Sequence, residues 1–193
     1  MEPVTALTDA VLSAWTALLS ALLFARARGR RPVILWACGL AATAIGALAG
    51  AAYHYWRVPW MLIPIATGAA ALCLGCAIAM AWLGTMARRI AIALLIVEFA
   101  ACAVAAAVSD SFVVVAADYG PVLLVILIAC IVRRRERAAR FIAAGIVVAF
   151  IALGVEASSL RIGVLDHNDL FHVMQMAAIF LLYRGGASLS AAS

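Results

Sequence analysis

Seven apolar runs divide the chain. They cover about Val4 to Phe24, Val33 to Tyr53, Trp60 to Leu83, Ile90 to Val108, Phe112 to Val132, Phe141 to Ala157 and Asn168 to Tyr183. Most approach the roughly 20 residues that a helix needs to cross a bilayer. The breaks between them are short and polar, and arginine is concentrated in every second one. The pattern predicts an all-α, polytopic integral membrane protein of seven transmembrane helices. Pro32 suits the first turn of the second helix, and Gly39, Gly46 and Gly50 let its neighbours approach closely. Gly120-Pro121 predicts a kink or local break in the fifth helix. Starting that helix at Pro121 instead would leave a span of about 12 residues, short for a bilayer, so the longer span with Asp118 inside it is preferred. The expected organisation is one seven-helix domain over 1–185 and a flexible Gly/Ser/Ala-rich tail over 186–193.

Charge orients these helices. The chain has no lysine. Arg26, Arg28, Arg30, Arg31, Arg88, Arg89, Arg133, Arg134, Arg135, Arg137, Arg140 and Arg184 share one side, and only Arg57 and Arg161 fall on the other. By the positive-inside rule the N-terminus is outside and the C-terminus cytoplasmic. Glu2 before the first run and arginines after it predict a retained span rather than a cleaved signal. The aromatic cluster Tyr53, Tyr55 and Trp56 reads as an interfacial belt.

Composition narrows the class further. The chain is 68% hydrophobic, with a mean hydropathy of +1.16, whereas soluble domains are nearer 45–50% apolar. Its net charge of +5 comes from arginines at span ends, which indicates topology rather than a nucleic-acid surface. Absence of lysine excludes a retinal Schiff base. Cys38, Cys73, Cys76, Cys102 and Cys130 all lie in apolar runs and read as small buried hydrophobes, including the C-x-x-C pair Cys73 and Cys76. Small size, Ala/Arg usage and short loops point to a bacterial inner membrane.

Against this background, the polar residues inside the spans carry the chemistry, because polar groups are costly at bilayer depth. Ten residues at the mouth of the seventh helix contain Asp166, His167, Asn168, Asp169, His172 and Gln175. Asp9, His54, Asp118 and Glu156 fall toward the same outer side, and Glu98 lies near mid-span. The convergence predicts a polar cavity opening outward. At about 100° per residue, Asn168, Asp169, His172 and Gln175 share one stripe. Imidazole with carboxylate suits zinc or a similar divalent ion, for which His54, His172 and Asp169 are the candidate ligands, with His167 as a substitute. The same groups suit a metal-free acid–base pair, or purely structural contacts.

Asn168-Asp169-Leu170-Phe171-His172-Val173 resembles the H-x-L-F-H-V opening of the seventh helix in the progestin and adipoQ receptors, and the H-x-L-W-H of alkaline ceramidases. Both belong to the CREST superfamily of seven-span membrane hydrolases. The resemblance implies zinc held by a second-helix histidine and two seventh-helix histidines, beside a Ser and an Asp. His54 matches the second-helix histidine and His172 the second histidine of the seventh helix. Asn168 stands in place of the other histidine, Gly50 in place of the serine, and the third span has no Asp. Asp169, His167 or another acid must then supply the missing ligand.

The leading expectation is a metal-dependent intramembrane hydrolase of a lipid amide or ester. Asp169, Asp118, Glu156 and Asn168 are its candidate catalytic residues, and Asp9, Glu98, Asp166 and Gln175 further polar-site residues. The alternatives are a binding or transport protein with Glu98 and Asp118 as proton or cation sites, and a membrane scaffold subunit.

Overall fold

The computed structural model describes residues 3–109, 111–163 and 165–189. Seven helices account for nearly all of them: α1 (Pro3–Ala27), α2 (Arg31–Trp56), α3 (Leu62–Trp82), α4 (Thr85–Val108), α5 (Phe112–Val132), α6 (Arg137–Glu156) and α7 (His167–Gly186). Helices α1 to α6 are long and apolar enough to cross a membrane, and α7 is more polar at its start. The chain is thus an all-helical protein with six candidate membrane spans.

Local chemistry sets the helix boundaries. Arg28 and Gly29 adopt positive φ between α1 and α2, and Arg57 caps α2 in the left-handed region. The Ser111 side chain accepts from the Val113 N–H at 3.2 Å and caps α5. Pro121 lies inside α5, which continues through it as one helix. Asp166 opens α7 with a capping box, its Oδ1 accepting from the N–H groups of Asn168 (3.0 Å) and Asp169 (3.1 Å). In return, the Asp166 N–H donates to Asp169 Oδ2 at 3.1 Å, so the orphan donors of the first turn are satisfied.

Six helices close into a ring in the order α1, α2, α3, α5, α6, α7, each packing on the next, with α7 returning to α1. Helix α4 stands outside, packed only on α3 and α5. Helices α1 and α2 are antiparallel and stitched by polar bonds: Ser13 Oγ donates to the Ala44 carbonyl and Ser20 Oγ to that of Ala37, both at 2.8 Å. Thr5, Asp9, Ser13, Thr16 and Ser20 form a buried stripe on α1 at helical spacing.

Helix α7 runs parallel to α1 along its length. Thr8 meets His172, Trp15 Nε1 donates to the Met176 carbonyl, and Arg26 donates to the Tyr183 hydroxyl. Close approach of α6 to α7 relies on Gly145, where a Cβ would sit 2.9 Å from the Ala178 carbonyl oxygen. Residues 186–189, expected in a flexible tail, pack on the bundle: Gly186 completes α7 and Leu189 is buried, its carbonyl bonded by Arg30. Residues 190–193 lie outside the described residues.

Candidate functional site

The ring encloses a cavity of about 340 Å³, lined by α1, α2, α3, α5, α6 and α7 and by no residue of α4. Leu12, Ile63, Leu123, Phe150, Phe171 and Ile179 make its walls largely apolar. Its carboxyl, imidazole and amide groups gather at the end holding the starts of α1 and α7 and the ends of α2 and α6: Asp9, His54, Glu156, Asn168, His172 and Gln175.

Asp9 is the hub of this cluster. It is 5% exposed, and its Oδ1 lies 3.1 Å from His172 Nε2, its Oδ2 4.0 Å from His54 Nε2. A turn of α1 directs Asp9 at α2, where Gly50 leaves the carboxylate room. A Cβ on Gly50 would stand 2.8 Å from Asp9 Oδ2. His172 is held from its other side, its Nδ1 lying 2.9 Å from Thr8 Oγ1. Thr8 Oγ1 also lies 3.0 Å from the Thr5 carbonyl and 3.3 Å from Asp169 Oδ1. The series Asp9, His172, Thr8, Asp169 therefore runs carboxylate, imidazole, hydroxyl, carboxylate across α1 and α7. Such a chain fixes the imidazole plane.

Glu156 closes α6 at the same end, and its Oε2 is buried without a hydrogen-bond partner. His167 lies near enough to act electrostatically on both Glu156 and Asp166. Asp166, in the loop before α7, is held below its ordinary pKa of 3.8, first by the Asp169 N–H, then by that of Asn168 and by the nearby His167 and Arg161; partial burial opposes them.

A model of a family described as being of unknown function, DUF6962, matches residues 4–191. The chain belongs to the DUF6962 family. No curated protein and no solved structure matches it.

Sequence-expected residues separate into three groups in this DUF6962 member. His54, His172, Asp9, Glu156, Asn168 and Gln175 meet at the cavity. Asp169, expected as ligand and base on the cavity stripe, is instead 2% exposed behind His172, bonded to Thr8 and to the Asp166 N–H. Its two oxygens are taken up by positioning His172 and capping α7, and Asp166 has the matching cap role. Asp118, expected to serve the outer site, does not line the cavity. Its neighbour Tyr119 does, and one residue is about 100° of helix, so Asp118 faces out of the ring toward Gly68 and Glu98. Thr8 was not foreseen from the sequence. Its signal was the helical spacing of Thr5, Thr8 and Asp9 on a span otherwise rich in Ala and Leu.

Zinc can be tested against this donor set. Tetrahedral zinc with bonds near 2.0–2.1 Å spaces its ligand atoms roughly 3.4 Å apart. The Asp9 separations from His172 (3.1 Å) and His54 (4.0 Å) lie on either side of that figure. Two imidazoles and a carboxylate are suitable donors, and the cavity leaves an open side. Among the described residues no three His, Cys, Asp or Glu side chains stand as a ready-formed metal cage, so His54 has to close on Asp9 for a metal to be held.

Proposed function

We propose that this DUF6962 member is an intramembrane hydrolase acting on the amide or ester bond of a lipid. The observation that carries the reading is the Asp9, His54 and His172 cluster at the polar end of an otherwise apolar cavity. An acyl chain fits the apolar walls, which places its carbonyl against the polar end. His54, His172 and Asp9 would hold zinc, with Asp9 in the role that the sequence had offered to Asp169 or His167. The chemistry that zinc supplies when bound is Lewis acidity toward the scissile carbonyl.

The remaining roles follow from position. Thr8 and Asp169 orient the His172 ring, as outer partners do for metal-ligating histidines. Glu156 projects an unpaired carboxyl oxygen beside the cluster and takes a proton from water or returns it to the leaving group. Asn168 and Gln175 offer amide N–H groups to the substrate's polar head.

The reading includes seven spans with the N-terminus outside and the C-terminus inside, in a bacterial inner membrane. The run of α7 alongside α1, from Thr8 to Arg26, supports a seventh crossing. The deciding experiment is elemental mass spectrometry on protein purified without chelator, wild type beside Asp9→Asn, His54→Ala and His172→Ala. Near-stoichiometric zinc, lost in each variant with the helical fold intact, supports the reading and justifies a screen of lipid amides and esters. Failure to bind added zinc would refute the metal site and leave the cluster as a ligand-binding or acid–base site.

A further inference from the structure

Outside the ring, α4 packs into a wedge on α3 and α5, and this wedge contains carboxyl groups that the cavity does not use. Asp118 of α5 is 4% exposed, and among the described residues its carboxyl oxygens receive no backbone N–H and no basic side chain, only the neighbouring Glu98 and Cys102. Glu98 of α4 interacts with it there, and Glu98 Oε2 is also buried without a partner. Cys102, one turn beyond Glu98 on the same face of α4, adjoins both carboxyls. On α3, Gly68 provides the space: a Cβ there would stand 3.2 Å from Asp118 Oδ2.

Among the described residues, no cation balances these acids from the packed elements. Helix α3 has no acidic, basic or histidine residue at all. On α5 the other titratable neighbour is Tyr119, and on α4 it is Cys102. The closest arginine along α4 is Arg89, nine residues from Glu98 and therefore about 14 Å away along the axis at 1.5 Å per residue.

We propose that Glu98 and Asp118 form a proton-binding site, holding one proton between their carboxyl groups in the α3–α4–α5 wedge. Asp118 is buried and Glu98 partly so, and two carboxylates this close at bilayer depth without a cation cannot both remain charged. A proton needs nothing beyond the two carboxyls. An inorganic cation needs further oxygen ligands, and the adjacent Pro64 carbonyl already accepts from Thr67 and Cys102. Because α4 lies outside the ring, the proton exchanges at the bundle's edge without crossing the cavity. Its loss would leave two like charges in the wedge and push α4 away from α5.

The test is infrared spectroscopy of the purified full chain, combined with dicyclohexylcarbodiimide, which modifies protonated carboxyls in apolar surroundings. At pH 7 an ordinary exposed carboxyl, with a pKa near 4, is ionised and inert. The expected result is a protonated-carboxyl C=O band at pH 7 in the difference spectrum of wild type minus Glu98→Gln combined with Asp118→Asn. Modification at Glu98 or Asp118 should fall at least tenfold in Glu98→Gln and should not change when sodium replaces choline. The substitutions are isosteric, and unchanged melting verifies the fold. The infrared band decides the matter where the reagent does not reach the wedge. Absence of that band at pH 7 overturns the proposal, and so does protection by sodium, which would make the site an inorganic-cation site.

Discussion

Gly50→Ala is the sharpest perturbation of the cavity cluster, because its effect can be worked from one distance. The added methyl would stand 2.8 Å from Asp9 Oδ2 and 3.1 Å from both Cγ and Oδ1, where ordinary contact begins near 3.4 Å. The carboxylate must withdraw by about 0.6 Å, the difference between those figures. A displacement of that size alters both the 4.0 Å separation from His54 and the 3.1 Å contact with His172. Overpacking costs roughly 1–3 kcal/mol. Zinc affinity should fall at least tenfold, because 0.6 Å is about three times the roughly 0.2 Å tolerance of a metal–ligand distance. The control is one turn away: a methyl on Gly46 would meet Ala66 Cβ and Thr67 Cγ2 at 3.5 Å, an ordinary contact. The assay is calorimetric zinc titration in detergent micelles, alongside thermal unfolding followed by circular dichroism. Gly50→Ala should lower both affinity and melting temperature, while Gly46→Ala should leave both near wild type. Equal behaviour of the two variants would refute the claim that Gly50 makes room for Asp9, whether or not zinc is bound.

Gly145→Ala should destabilise the fold by about 1–3 kcal/mol, because its methyl would meet the Ala178 carbonyl of α7, a backbone atom that cannot rotate away; a thermal melt no lower than wild type would contradict the packing. Asp166 is held below its ordinary pKa of 3.8 in the folded state, so it contributes stability above its unfolded value and loses it as pH falls through the lower folded one. Asp166→Asn keeps a capping side chain but should flatten the acid limb of the unfolding curve below about pH 4; an unchanged limb would remove Asp166 from the acid response. Single cysteines at Ser158 and Arg134 in a cysteine-free background test orientation with a membrane-impermeant maleimide. The first should label in intact cells and the second only after permeabilisation, and the reverse pattern would invert the proposed topology.

The seven helices were legible in the chain because each is a long apolar run bounded by arginine, proline, glycine or a polar turn. Burial of so much apolar surface leaves few other solutions, and the runs lie within five residues of the helix ends, most helices reaching further into the flanking polar segments than the apolar run does. Chemistry concentrated at one end was also legible, since a polar side chain among Ala, Leu, Ile and Val stands out wherever the chain folds. Partnership was not. Sequence order says nothing about which helices close the ring, so it could not tell that α4 stands outside it. Nor could it say that Asp118 turns toward Glu98 rather than toward the histidines. Asp9 was visible only as one polar residue among several, and packing of α1 between α2 and α7 made it the group that His54 and His172 share. Asp169 looked like a ligand from its place on the stripe, yet the capping box and Thr8 occupy its oxygens. A helical stripe reports direction to within tens of degrees, whereas hydrogen bonds and ion pairs are decided within tenths of an ångström, and only the packed bundle sets those distances.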